Sequence, residues 1–162
     1  MHISNASNIS YQIRRSIANG RAIDAISILS NAIDRGNCTS EDLQDSVERL
    51  MQCSDTTILV SLKGVIEKNQ NIYQSSTQRS LILAQINYLL GINSLGNSHF
   101  AEAQTYLMEA ATRYEASNRI NQLAITNYAL SLAFADGGEP EEALSYAETA
   151  AQILSSPSID QT

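Results

Sequence analysis

The sequence predicts an all-α protein of stacked antiparallel helical hairpins, about eight helices in all. The main evidence is an internal echo: residues 83–111 and 123–151 repeat each other 40 positions apart. Leu83/Leu123, Ala84/Ala124, Asn87/Asn127, Tyr88/Tyr128 and Leu90/Leu130 match in the first half of each copy. Glu102/Glu142, Ala103/Ala143, Tyr106/Tyr146, Ala110/Ala150 and Ala111/Ala151 match in the second. Apolar residues recur at helical spacing rather than in alternation. Both prolines, Pro140 and Pro157, lie late, so none interrupts a helix before them. A repeat of this length without strand signals describes hairpins that cannot bury their apolar faces alone and therefore stack.

The elements follow in order. A first helix is predicted from about Ser7 to Ala18, stopped by Asn19-Gly20. A second carries Ala22, Ala25, Ile26, Leu29, Ala32 and Ile33 on one stripe and ends at Arg35-Gly36, a basic last turn followed by a glycine stop. Thr39 with Asp42 has the pattern of a capping box opening a third helix, whose apolar stripe is Leu43, Val47, Leu50 and Met51. A fourth, about Thr56 to Asn69, begins in a run of β propensity, Thr56 to Val60, but Ile58, Leu62, Val65 and Ile66 keep the i, i+4, i+7, i+8 spacing of a helix.

The polar stretch Gln74 to Gln78 reads as a loop dividing the chain. It separates a divergent helical-hairpin region (1–73) and a short loop (74–79) from two repeat units (80–154) and a tail (155–162). Each copy is a helix (about Gln78–Leu95 and Asn118–Ala135), a turn (Gly96-Asn97-Ser98 and Asp136-Gly137-Gly138) and a second helix (about His99–Glu115 and Glu139–Leu154). Pro140 falls in a first helical turn, where its missing N–H would have no partner in any case.

Composition narrows the function classes. The chain has 162 residues, 43% of them hydrophobic, only 17% charged, and a formal net charge of −7. That balance argues against a nucleic-acid backbone or an anionic membrane surface as the main partner. Two cysteines, Cys38 and Cys53, make neither a disulfide framework nor a metal knuckle, and read as reduced thiols of a cytoplasmic protein. The first residues have neither the basic nor the apolar region of a signal peptide. The most apolar stretch, Leu81 to Ile92, is too short to span a membrane.

The copies resemble the tetratricopeptide repeat. Leu90-Gly91, Ala103, Leu107 and Ala110 fit its pattern in register, as do Leu130, Phe134, Gly138, Ala143 and Ala150 in the next unit, with Ser131 and Ala147 weaker matches. Gly20, Ala25, Leu29 and Ala32 reproduce the second half of the pattern near the N-terminus. The spacing from Ala25 to Ala103 then implies a middle unit around Gly64. The chain departs from the pattern in three ways. Asn87 and Asn127 replace a bulky aromatic, Glu115 and Ser155 replace a late proline, and the period exceeds the usual ~34 residues.

The resemblance implies a concave groove lined by the first helix of each unit. It places Gln85, Tyr88, Ile92 and Leu95 there, continued by Ile125, Tyr128, Leu132 and Ala135. Members that clamp an acidic C-terminus use lysine and asparagine at groove positions where this chain has tyrosine, isoleucine and leucine. The expected ligand is therefore an apolar or amphipathic polypeptide segment. The competing reading is that these apolar helices are simply buried between neighbours.

No Ser–His–Asp, Cys–His or Glu-x-x-His arrangement can be assembled around the two histidines, His2 and His99, and no glycine-rich phosphate loop occurs. Neither catalysis nor a metal or other cofactor is expected. The acidic group Glu139, Glu141 and Glu142 complements a helix N-terminus. Arg14, Arg15 and Arg21 form the one basic cluster, read as a solvated face. The resulting expectation is a non-catalytic adaptor whose partner is another protein or a second copy of itself. The alternatives are a chaperone similar in character to those of type III secretion and a ligand-sensing regulatory module.

Overall fold

The computed structural model describes the backbone of residues 5–156 and the side chains of residues 9–156. Among these residues it is all-helical: α1 (Asn5–Ala18), α2 (Ala22–Asp34), α3 (Ser40–Gln52), α4 (Thr56–Lys68), α5 (Ser76–Gly96), α6 (Phe100–Ala116), α7 (Ile120–Asp136) and α8 (Pro140–Leu154). His2 and all but the first two residues of the expected tail lie outside the described residues. The chain divides into two compact units, one up to Gln74 and one from Ser75.

In the first unit, α1 packs on α2 and α3, and α4 packs on α2 and α3. Ile13, Leu29, Val47, Leu50, Leu59, Leu62 and Ile66 are fully buried between them. The capping box of α3 is complete: Thr39 Oγ1 accepts from the Asp42 amide at 3.1 Å, and the Thr39 amide donates to Asp42 Oδ2 at 3.2 Å. The β-branched run at the start of α4 is helical because Asp55 Oδ1 caps it, accepting from the Ile58 amide at 3.1 Å. Burial of Ile58, Leu59, Leu62 and Ile66 then outweighs a propensity deficit of a few tenths of a kcal/mol per residue.

Polar contacts tie α1 to α3. Ser10 Oγ donates to Asp42 Oδ1 at 2.8 Å, and the Asp45 carboxylate bridges Arg14 at 3.2 Å and Arg49 at 3.0 Å. Arg14 thus leaves the expected basic cluster for an ion pair. Here α1 packs on α3 more broadly than α2 does, so this unit does not copy the pairing order of the second. Gly64, at the place expected for a middle repeat, lies exposed in mid-α4. A Cβ added there would meet nothing within 4 Å, so it is not a close-packing site.

The second unit stacks in sequence: α5 on α6, α6 on α7, α7 on α8. α5 begins at Ser76, inside the expected loop, because the Ser75 hydroxyl caps it by accepting from the Gln78 amide at 3.3 Å. The three turns of this unit share one geometry. Ser98, Asn118 and Gly138, spaced 20 residues apart, are left-handed with φ of 61°, 54° and 81°. After each, an amide reaches back to the preceding helix: His99 N to Ser94 O at 2.8 Å, Arg119 N to Tyr114 O at 2.9 Å, and Glu139 N to Phe134 O at 2.8 Å. One helix and its turn therefore take 20 residues and one hairpin takes 40, which is the physical origin of the echo.

The strained position of the first turn is Ser98, not Gly96, which closes α5. Ser98→Gly is expected to stabilise this unit by about 0.5 kcal/mol in chemical denaturation. Relief of a left-handed side chain (about 1 kcal/mol) exceeds the added freedom of the unfolded chain (about 0.5 kcal/mol).

Close approach within the hairpin depends on Gly91. A Cβ there would sit 2.5 Å from Leu107 Cγ and 2.7 Å from Leu107 Cδ2, and Leu107 is fully buried. The core continues through Ala103, Ala129, Leu130, Ala133, Phe134 and Ala143. Phe134 stacks on Tyr146 with ring centroids 5.1 Å apart, holding α7 to α8. The two asparagines of the echo, Asn87 and Asn127, are satisfied within their own helices. Asn87 Nδ2 donates to Leu83 O and Asn127 Nδ2 to Leu123 O, each at 2.9 Å.

Burial also opposes ionisation of two phenols, one in each unit. It pushes Tyr73 up to about 12, with help from nearby Cys38 and Glu48, and Tyr114 up to about 12, with help from Tyr88. These phenols are held neutral when folded and ionise near 10.0 when exposed. Their contribution is therefore complete below pH 10 and is lost between pH 10 and about 12. Absorbance at 295 nm is expected to show Tyr73 and Tyr114 ionising in a late phase, in step with loss of helicity. Tyr114→Phe is expected to remove one of the late steps.

Candidate functional site

The helices α5 and α7 are apolar almost all round, so the open side of each is fixed by what packs around it. On α7, Ala124, Thr126, Asn127, Ala129, Leu130, Ser131, Ala133 and Phe134 are buried. Between Leu123 and Ala135, what remains exposed is a narrow line at i, i+3, i+7 and i+10: Ile125, Tyr128, Leu132 and Ala135. Ile125 is 53% exposed, Tyr128 58% and Leu132 39%. Large apolar groups this exposed in a row, with no charge among them, are unusual for a helix otherwise buried on every side.

The equivalent line on α5 is only partly open. Gln85 and Ile92 are exposed, whereas Tyr88 and Leu95 are half-buried against the cluster that holds Ala103, Leu107, Leu130 and Phe134. Of the eight residues expected to line a groove, six thus face out: Gln85, Ile92, Ile125, Tyr128, Leu132 and Ala135. The other two, Tyr88 and Leu95, are drawn into the packing between hairpins. The two tyrosines of the echo have different surroundings for a local reason: α6 and α7 cover Tyr88, while among the described residues no helix follows α8 to cover Tyr128 in the same way.

The stripe offers contact area, a phenol and a carboxamide. Elsewhere several titratable groups have structural surroundings. Burial, with Asp42 adding to it, pushes the Cys38 thiol up to about 11, so it is protonated at neutral pH and a poor nucleophile. His99 lies 3.5 Å from Glu102 on the same helix turn. Glu139 accepts from Gln104 Nε2 at 3.4 Å, and the same nitrogen donates to Ala133 O at 3.3 Å, joining α6 to the α7–α8 turn. Among the described residues no three His, Cys, Asp or Glu side chains converge as a metal site, and no helix is long and apolar enough to cross a membrane.

Two further apolar features are not marked in the sequence pattern. A cleft of ≈ 400 Å³ runs between α6 and α8 on the far side of α7 from the stripe, lined by Met108, Ala111, Leu123, Leu130, Tyr146 and Ile153 among others. Leu144 and Leu154 stand exposed on α8. Leu154 was legible in principle, because it occupies the repeat position of Tyr114. Its exposure depends on being in the last hairpin described, which periodicity does not encode.

No protein-family model, curated protein or solved structure matches the chain.

Proposed function

We propose that the chain is a non-catalytic adaptor, of tetratricopeptide-repeat type, that holds an apolar or amphipathic segment of another polypeptide along the α5–α7 stripe. The observation that carries this reading is the exposed row Ile125, Tyr128 and Leu132 on α7, with Ile92 exposed on α5. Burying each such aliphatic side chain against a partner contributes about 1.5–3 kcal/mol before ordering costs. The tyrosine hydroxyl and Gln85 amide at the margins fix orientation. A net charge of −7 disfavours acidic partners and leaves the uncharged stripe as the surface of least repulsion. The free thiols Cys38 and Cys53 suit a reducing cytoplasm.

The test is a comparison of what immobilised wild-type protein and the Ile125→Asp/Leu132→Asp variant retain from native cell extract. Both positions are exposed, so the fold should survive, as circular dichroism can verify. A polypeptide held by the wild type and reduced at least tenfold by the variant is the expected result, since burying one unpaired carboxylate costs several kcal/mol. Identical retention by both proteins would remove the stripe from the function.

A further inference from the structure

The basic cluster of the first unit changes membership when the chain folds. Arg14 leaves it for Asp45, while Arg35, at the far end of α2, joins Arg15 and Arg21 along one groove between α1 and α2. The groove consists of two hollows, ≈ 380 and ≈ 410 Å³, that share Gln12 and Ile28 and are therefore continuous. Its apolar floor is Ile9, Ile28 and Ala32, and the carboxamides of Asn19, Asn31 and Asn37 stand along it. Arg15, Arg21 and Arg35 are all exposed, and among the described residues none of the three has a side-chain partner. Asp24 is the one acid among the lining residues. Arg21 opens α2 without a side-chain capping bond. A positive charge at a helix N-terminus opposes the dipole, so the helix itself gains nothing from this arginine.

We infer that this groove holds an extended acidic segment of an unlike polypeptide, one in which an aliphatic residue lies between carboxylates. Charge complementarity carries the first half of that description. Residues 5–37 hold Arg14, Arg15, Arg21 and Arg35 against Asp24 and Asp34, a balance of +2 in a chain of −7, so the remaining residues carry −9. An acidic segment is steered to the α1–α2 groove and away from the rest of the chain. Each free guanidinium presents a planar fork that pairs a carboxylate through two hydrogen bonds. The chemistry of the lining carries the second half. Carboxamides both donate and accept, as the N–H and C=O groups of an extended peptide require, whereas phosphate oxygens only accept. The floor of Ile9, Ile28 and Ala32 suits one aliphatic side chain, which a nucleic-acid backbone does not offer. A nucleic acid or an anionic membrane would also bring its whole charge against the −9 carried elsewhere.

The groove belongs to the first unit and the stripe to the second, so either surface can fail without the other. The test selects binders from a phage-displayed library of random peptides about twelve residues long, which when extended outreach either helix. Selection uses the Ile125→Asp/Leu132→Asp protein, so that ligands of the stripe are excluded. Winners are expected to be enriched in Asp and Glu around an aliphatic residue. The affinity of a synthesised winner, read by fluorescence anisotropy, is expected to fall at least tenfold in Arg15→Gln/Arg21→Gln/Arg35→Gln with helicity unchanged. Each exposed ion pair contributes roughly a two- to fivefold factor, and three act together. No winners, winners without acidic enrichment, or a winner indifferent to the arginine changes would overturn the inference. Tighter, arginine-dependent binding of a single-stranded oligothymidylate or of phosphatidylserine vesicles would overturn it by assigning the groove to phosphate. Self-association of the wild type that the triple change abolishes would overturn it in favour of a second copy.

Discussion

Gly91→Ser is expected to destabilise the second unit by about 2 kcal/mol, although it replaces a helical glycine. The helix-propensity gain of a side chain there is below about 1 kcal/mol. Against it stands a Cβ 2.5 Å from Leu107 Cγ, a branch point that cannot swing aside as a flexible tip would. Overpacking of this kind costs about 1–3 kcal/mol. Leu107→Ala alone is expected to cost about 3 kcal/mol, since Leu107 is fully buried. The second copy predicts how the two combine, because at these positions it has Ser131 and Ala147: a larger residue on the first helix opposite a smaller one on the second. Transplanting that pair as Gly91→Ser/Leu107→Ala is expected to cost at least about 1 kcal/mol less than the sum of the single changes. Urea denaturation of the four proteins measures the coupling. Simple additivity would mean that the two positions do not share one packing site.

Tyr114→Ala and Leu154→Ala occupy one repeat position, yet their expected effects differ by about 3 kcal/mol. Tyr114 packs with Ala84 and Ala110, with Leu81, Tyr88 and Leu123 around it. Truncating it leaves a cavity beneath α7 and costs about 3–4 kcal/mol. Leu154 lies 62% exposed, and its truncation is expected to stay within about 0.5 kcal/mol. The measurement is urea denaturation followed by circular dichroism. Similar losses at both positions would show that the end of α8 is covered within the single chain.

Most of the fold is legible in the sequence because its signals are local. The capping box of Thr39 and Asp42, the two turns 40 residues apart and the alanine positions of the echo each specify backbone or packing within one or two helices. The start of α5 is not legible, because Gln74 to Gln78 is polar throughout and only the Ser75 hydroxyl on the Gln78 amide shows where the helix begins. The first unit is legible as helices but not as an arrangement. Its order, α1 on α3 and α2 on α4, depends on contacts between residues some 30 positions apart, such as Arg14 with Asp45, that carry no periodic mark. The exposed stripe is half legible for a related reason. Helical spacing puts Ile125, Tyr128 and Leu132 on one line, but helices apolar on every side do not say which line is left open. Tyr88 and Tyr128 are the same letter in the echo and acquire different surroundings only from what packs next to them.

The line Ile92, Ile125 and Leu132, proposed as the place where this protein holds another polypeptide, is open to direct measurement. A photo-crosslinking amino acid is placed singly at Ile92, Ile125 and Leu132, and for comparison at the exposed Glu148 of α8, with irradiation in native extract. Adducts to one unlike polypeptide are expected from the three stripe positions and none from Glu148. Adducts of equal yield from all four positions, or none but the chain itself from the stripe, would contradict the proposal.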